Sequence, residues 1–487
     1  MEGADRISSL PSEVIVSILS HLPIKDAVRT SVLACSWRHL WTFRSHLSLG
    51  WSGDPLLFGD TCNSGRQPVA SSWIERAHHV VSSLRGPLLH FAFCQRFSSD
   101  QSALLQRLLD LLLQKGSLET LHLSTGWVAI HLPSFHSLKK LELYRCRIVL
   151  PTGFQGFRRL STLSLHRVQI SNDDLNLLIH ISNNLTTFKA MDFVASENHP
   201  YSIMFNLPFL RSLEFSINEY VDKVEVFSAP CLERASISSY AYFKFKNFAS
   251  VNLGLVTSVV MVSSLNLDFN VLKSLSLAAL PSNFTFPRLT YLELFLNVQT
   301  MDIDKRMFNA FIWLLRSMPL LKVLDLQLGE YSIVDDRVDI QMGEFLLKNH
   351  HGISCLDHTL KCVKIRTKKL NSVMTSITLV KFLLLNAKVL KLMKVAYWTG
   401  SEVEQSVIEV LQNVKETTSS NAKVAIIRRR ISLTSGPLGS TQSQPPTEVG
   451  KPDVKRLPRF RGRISACKPG DFPEPYGPIT ASCVFVL

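Results

Sequence analysis

From Leu118 onward the chain returns again and again to one spacing of apolar positions, Leu-x-x-Leu-x-Leu. It appears as Leu118/Leu121/Leu123, Leu138/Leu141/Leu143, Leu160/Leu163/Leu165, Leu210/Leu213/Phe215, Leu272/Leu275/Leu277, Leu289/Leu292/Leu294 and Leu321/Leu324/Leu326. Degenerate copies stand at Leu185/Phe188/Ala190 and Leu232/Ala235/Ile237. Start-to-start intervals from Leu118 to Leu232 are 20, 22, 25, 25 and 22 residues. The later gaps, 40 residues from Leu232 to Leu272 and 32 from Leu289 to Leu321, predict a diverged copy and an insertion. Alternation along a strand sends the leucines to one side and the residues between them to the other. No copy can bury its leucines alone, so the spacing predicts a stack of one-strand repeats around a continuous core. A two-sided α/β sheet is the competing reading, and the constancy of the internal spacing weighs against it.

The first forty residues follow a different period. Val14, Ile15, Ile18, Leu19 and Leu22 recur at helical spacing behind Pro11, which loses nothing at the first turn of a helix. Pro23 breaks that helix, and Asp26 opens a second one carrying Ala27, Val28, Val32 and Leu33. A third short helix is predicted from Trp37, Leu40 and Trp41. About 40 residues rarely offset their ordering entropy alone, so this unit needs something to pack against. A helical cap on the domain that follows fits the pattern as well as a separate module does.

These residues carry a resemblance. Leu10-Pro11, an apolar helix, Leu22-Pro23, the run Ile24 to Leu33 and Trp37-Arg38-His39-Leu40-Trp41 resemble the F-box of plant F-box proteins with leucine-rich repeats. The resemblance implies docking on a Skp-family adaptor, and through it on a cullin, in an SCF-type ubiquitin ligase. Carried over position by position, Leu10, Pro11, Val14, Ile15, Ile18, Leu19, Leu22 and Pro23 would supply the apolar adaptor contact. The segments Cys355 to Ile365 and Val380 to Leu390 are similar to the FBD region of the same plant proteins, a strand, a helix and another strand, expected here to cap the repeats. The fold expected is α/β: a short three-helix F-box, a curved leucine-rich-repeat solenoid with one parallel β-strand per repeat, and a disordered C-terminal tail. The boundaries expected are 6–50 for the F-box, 51–116 for a connecting segment, 117–350 for the repeats, 351–400 for the FBD-like cap and 418–487 for the tail.

Composition narrows the partners. Net charge is +14, but Ala422 to Leu487 holds eleven Lys/Arg against four Asp/Glu, so the body is only mildly basic. A nucleic-acid partner is therefore not expected, because a binding footprint needs its cations gathered on one folded face. The side of the strands opposite the leucines mixes signs, as in Lys140/Glu142/Tyr144 and Tyr291/Glu293/Phe295. That suits a protein target, with Tyr144, Tyr291 and Phe295 as candidate anchors. Nine scattered cysteines without a CxxC pair fit reduced thiols in the nucleus or cytoplasm, and no stretch is apolar enough to predict a membrane span.

The candidate chemistry is thin. His350, His351, Cys355, His358 and Cys362 have a metal-like spacing, but alternation with Val363 and Ile365 is read as placing Cys362 in the core, and neither metal nor cofactor is expected. The acid pairs Asp173-Asp174 and Asp335-Asp336 read as cap or turn residues. With no G-x-S-x-G, G-x-x-x-x-G-K-[ST] or G-x-G-x-x-G, an enzyme is not expected. The tail after Ser435 is rich in Ser, Gly, Pro, Thr and Gln, and its basic cluster Lys455 to Arg463 reads as solvated charge. The function expected is target recognition for a ubiquitin ligase. The alternative is a non-degradative interaction scaffold, nuclear in view of the basic tail.

Overall fold

The structure is a computed structural model that describes residues 7, 9–50, 70–95, 101–195, 201–239, 248–296, 305–328, 345–367, 373–398, 412–416, 418, 421–429 and 481–486. The chain divides into two compact units, Met1–Pro281 and Ser282–Leu487.

The first unit opens with α1 (Ser12–His21) and α2 (Ile24–Arg29), followed by 3-10 turns at Thr30–Val32, Cys35–Trp37 and Leu40–Phe43. Pro11 and Pro23 stand immediately before the two helices, where a missing N–H costs no hydrogen bond. Strand β1 (His46–Gly50) starts the sheet. After it come α3 (Ala70–Ser83), β2 (His90–Cys94), α4 (Ser102–Lys115) and β3 (Thr120–Ser124). Helix α4 is built of strong helix formers and ends at Gly116, whose φ of 67° lies in the left-handed region that favours glycine.

Further along are β4 (Ala129–His131), β5 (Lys140–Tyr144), β6 (Arg147–Val149), β7 (Thr162–His166), β8 (Gln169–Ile170), α5 (Asn172–Ile181), β9 (Thr187–Met191) and β10 (Val194–Ala195). Then follow β11 (Tyr201–Asn206), β12 (Ser212–Ile217), β13 (Val221–Ser228), β14 (Arg234–Ser239), α6 (Phe248–Ser258), β15 (Ser264–Asp268) and α7 (Phe269–Leu277). Nine strands, β1-β2-β3-β5-β7-β9-β12-β14-β15, pair in parallel. The short strands β4, β6, β8 and β10 form a second parallel sheet, and β11 pairs with β13.

The second unit holds β16 (Tyr291–Leu296), α8 (Lys305–Arg316), β17 (Val323–Leu328), α9 (Ser354–His358), β18 (Cys362–Thr367), α10 (Val373–Asn386), β19 (Leu392–Trp398), β20 (Lys423–Arg429) and β21 (Ala481–Val486). Strands β16 to β20 pair in parallel and β21 pairs antiparallel to β20.

In both units the repeat leucines stack as buried columns; Leu121, Leu141, Leu163, Leu292 and Leu324 are each 0% exposed. At about 1.5–3 kcal/mol per buried side chain, these columns dominate cohesion. Parallel strands joined by helices or turns, each repeat resting on the next, are consistent with a leucine-rich-repeat solenoid.

Four expectations are revised. The Leu272/Leu275/Leu277 copy is not a strand but lies in α7, because Asp268 accepts the Val271 N–H at 2.8 Å and starts a helix there. The strand belongs instead to Val262/Leu265/Leu267, the same spacing with a valine at its head. The sheet also begins before the expected repeats: β1 lies within 6–50, and the connecting segment 51–116 contributes β2 between two helices, with residues 51–69 outside the described ones. The FBD-like segment does not close the stack. Leu360/Val363/Ile365 and Leu390/Met393/Val395 repeat the leucine spacing and add two further rungs, β18 and β19. The expected tail begins with ordered chain, since Val424 and Ala425 are buried and Lys423–Arg429 forms β20. Asp335-Asp336 and the cluster Lys455 to Arg463 lie outside the described residues.

Candidate functional site

Two surfaces bear on function. The first is the helical region. Helix α1 carries apolar residues on too much of its circumference for one buried face, and the fold divides them. Ile15 (3% exposed) and Leu19 (0%) join Ala27 and Trp37 in a small core, with Leu22, Ala34, Leu40 and Trp41 packed against it. Val14 and Ile18, one turn apart on α1 and about 100° round from Ile15 and Leu19, form an outer ridge, each 44% exposed, and Leu10, before the helix, is 37% exposed. Pro11 and Pro23 are exposed at the starts of the two helices.

The residues expected at the adaptor surface are thus divided between core and solvent. Ile15 and Leu19 hold the module together and have no area to offer a partner, and Leu22 is only half exposed. Sequence reasoning assigned Val28, Val32 and Leu33 to the second helix without giving them a partner-binding role, and the structure leaves them 39%, 86% and 69% exposed. Helix α2 is only six residues long and turns only Ala27 inward, so Val32 and Leu33 fall beyond it, in and just after the 3-10 turn Thr30–Val32. Apolar side chains left in water to this extent mark a protein-contact surface when they gather.

The region is anchored to the sheet. Arg44, buried at the head of β1, donates from Nε to the His46 carbonyl at 2.6 Å and from Nη2 to the carbonyls of Ser20 at 3.2 Å and Leu22 at 2.9 Å. Arg85 and Gly86 both donate backbone N–H groups to the Thr42 carbonyl. A Cβ on Gly86 would lie 2.7 Å from the Phe43 carbonyl oxygen, so the approach requires glycine.

The second surface is the face of each sheet opposite the leucines. In the first unit His46 and His90 stack at 4.1 Å, and Tyr144 lies between His122 and His166, at 4.9 and 5.3 Å between ring centroids. Glu142 takes Nδ1 of His122 at 3.2 Å and pairs with Lys140 at 3.0 Å, and these partners hold its carboxyl at about 2. Burial pushes the Tyr144 hydroxyl up to about 12, so it remains a neutral donor or acceptor. His122 and Ser164, which alternation assigns to the open face, are themselves buried under their neighbours.

In the second unit the expected anchor Tyr291 is half-buried, and its hydroxyl donates to Asp325 Oδ2 at 3.0 Å. Arg366 bridges Asp325 and Glu293, and Gln327 donates to Glu293 at 2.6 Å. Asp325 is 2% exposed, so this cross-strand network is a built part of the surface. Phe295, the third anchor, is 36% exposed.

The metal-like spacing disperses. Cys355 is buried in α9 and donates to the Leu315 carbonyl, while His350 and His351 lie against each other outside the core. Cys362 is not a core residue: Val363 and Ile365 take the inward positions, so alternation turns Cys362 to the opposite face with Lys364 and Arg366. Among the described residues no three His, Cys, Asp or Glu side chains converge as a metal site. Asp174 and Ser171 act as a cap, with the Asp174 N–H donating to Ser171 Oγ at 3.0 Å. No described helix is long and apolar enough to cross a membrane.

Comparison with known proteins agrees with this layout. The F-box domain model matches residues 7–47. The model described as FBD-associated F-box protein At5g56370, LRR repeats, matches 101–274, and the FBD model matches 348–395. An F-box/FBD/LRR-repeat protein of Arabidopsis thaliana is 30% identical over 185 residues, covering 37% of this chain and 42% of the relative. An F-box/LRR-repeat protein of the same plant is 25% identical over 395 residues, covering 72% and 76%, and another F-box/FBD/LRR-repeat protein is 28% identical over 326 residues, covering 60% and 69%. The match to the first of these relatives thus spans under half of its length. The chain carries, in order, the F-box, leucine-rich-repeat and FBD segments that its plant F-box/FBD/LRR-repeat relatives are named for.

Proposed function

We propose that this chain is the non-catalytic target-recognition subunit of an SCF-type cullin-RING ubiquitin ligase. In this reading the F-box docks on a Skp-family adaptor, and through it on a cullin. The open face of the repeats holds a protein target, so that other subunits transfer ubiquitin to it. The mechanism is proximity: holding a target raises the effective concentration of its lysines near the transfer machinery.

The observation that supports this most directly is the division of α1. Ile15 and Leu19 account for the stability of the module, yet Leu10, Val14 and Ile18 remain apolar in water together with Val28, Val32 and Leu33. Six exposed apolar side chains on a region of about 40 residues cost solubility and lie outside its buried core, which is the balance expected of a docking face.

Co-purification with a Skp-family adaptor tests the reading. The intact chain is expected to retain the adaptor, and Val14→Asp/Ile18→Asp is expected to lose it while keeping its circular dichroism spectrum and unfolding midpoint. A folded intact chain that captures no adaptor overturns the ligase reading and leaves the alternative of a non-degradative scaffold. Equal capture by the double variant overturns the assignment of the ridge.

A further inference from the structure

The residue just before each strand holds a fixed place in the stack, because its backbone N–H donates to the carbonyl of the equivalent residue one rung earlier. In the first unit this ladder runs Glu119, Lys139, Ser161, Thr186, Arg211, Glu233 and Ser263. Its two acids and two bases are matched: Lys139 pairs with Glu119 at 2.7 Å and Arg211 with Glu233 at 2.9 Å. In the second unit the ladder runs from Thr290 to Lys322, Lys361 and Lys391, with N–H to carbonyl distances of 2.9 Å at each of these steps, and Lys423, the first residue of β20 and in register with Leu392, donates its N–H to the Lys391 carbonyl. All four lysines are exposed, and none forms an ion pair with a described residue.

Three rungs at about 4.8 Å put Lys322, Lys361 and Lys391 along a row of about 10 Å, and Lys423 stands on the next rung one position further along its strand. Beside the row, Lys364 and Lys394 are directly opposed in register on β18 and β19. Asp325 lies 3.8 Å from Lys364 and also pairs with Arg366. This row repels itself where the first unit uses matched pairs at the same ladder position, and it offers net positive charge to an anion.

We infer that this lysine ladder receives an acidic segment of a protein target, a short extended run rich in Asp and Glu. The inference rests on the reading that the open sheet face holds the target. An extended chain advances about 3.4 Å per residue, so about three residues span the row and a fourth reaches the rung of Lys423. Half-buried Val323, Cys362 and Leu392 lie next to the lysines on the same three rungs and offer apolar contact to side chains flanking the acidic run. That mixture suits a peptide. A single-stranded nucleic acid calls for aromatic platforms along the row, and the positions beside these lysines carry none. The chain's own C-terminal segment is no substitute, since residues 430–487 hold eight Lys/Arg against four Asp/Glu.

The test is fluorescence anisotropy on the full chain with a labelled octapeptide of four consecutive glutamates flanked by leucines. The intact protein is expected to bind it, with affinity falling several-fold as salt rises to physiological strength, and not to bind the matching glutamine peptide. Lys361→Glu/Lys391→Glu is expected to weaken binding at least about ten-fold with no loss of thermal stability, because it relieves repulsion. Lys139→Glu/Arg211→Glu makes the same charge change at the same ladder position in the first unit and is expected to leave binding unchanged. Equal binding by both double variants, or none by the intact chain, overturns the inference, as does a single-stranded oligonucleotide of equal charge that displaces the peptide. Adaptor capture measured on the same samples separates the two readings: peptide binding without adaptor capture sinks the ligase proposal and leaves the ladder assignment standing, and the reverse result does the opposite.

Discussion

Arg44 is the side chain on which the placement of the F-box depends. It is 3% exposed and donates three hydrogen bonds to main-chain carbonyls, two of them, Ser20 and Leu22, at the end of α1. Those carbonyls lie where a helix has no internal donors left and where its dipole is negative, so a guanidinium satisfies both needs. Burial alone lowers the Arg44 pKa from its ordinary value, which reports how dry the site is. A hydrogen bond to a charged group contributes about 1.5–3 kcal/mol, so three give roughly 4–9 kcal/mol gross. Against this stand the desolvation of the charge, recovered on its removal, and water that re-solvates part of the vacated carbonyls; the net loss for Arg44→Met is about 3–5 kcal/mol. Methionine keeps most of the side-chain volume, which isolates the hydrogen bonds from packing. The loss falls on the junction of α1 with β1, so limited proteolysis in rising urea is expected to release the first 45 or so residues well before the sheet is cut. Arg44→Lys is expected to fall between, because one ammonium cannot reproduce the fork geometry that serves three carbonyls. An Arg44→Met chain within about 1 kcal/mol of the parent, with an unchanged order of cleavage, would refute the reasoning.

Gly86→Ala places a Cβ 2.7 Å from the Phe43 carbonyl oxygen and 2.9 Å from its Cα, both backbone atoms that cannot swing away, so about 1–3 kcal/mol of stability is expected to be lost at the same junction, read by the same proteolysis. Leu19→Ala, at 0% exposure, is expected to cost about 2–5 kcal/mol in chemical unfolding, whereas the neighbouring Ile18→Ala, at 44%, is expected to leave stability nearly unchanged and to reduce adaptor capture instead. Two carboxylates give opposite pH dependences. Burial raises Asp268 to about 6, so the folded state holds a proton that the unfolded chain gives up near pH 4; its contribution to stability falls as pH rises from about 4 to about 6, and Asp268→Asn is expected to remove that fall in urea titrations. Hydrogen bonding from His122 and Lys140 lowers Glu142 to about 2, so its contribution is present above about pH 4 and lost as pH falls from there to about 2, and Glu142→Gln is expected to remove that loss.

The repeat columns were legible because Leu-x-x-Leu-x-Leu states both the strand and its inward face, and where the spacing recurs cleanly, as at Leu141 and Leu143, the structure follows it. The same letters misled at Leu272 and Leu275, since i, i+3 spacing also fits a helix; the deciding residue is Asp268, whose carboxylate caps α7 immediately after the true strand. In the F-box, periodicity identified α1 but could not divide its apolar residues. Val14 and Ile15, or Ile18 and Leu19, are one step apart, about 100° around the axis, and only the packing of Ala27 and Trp37 decides which of each pair turns inward. The lysine ladder was not legible at all. Its members are separated by 39 and 30 residues in the chain, and each alone reads as a solvated charge. Only the parallel register, which fixes one residue per rung at the same height, gathers them into a row. A repeat fold therefore divides its information: core positions are written locally and repeatedly. The surface that selects a partner is written once, across rungs, in residues whose neighbours in the chain say nothing about them.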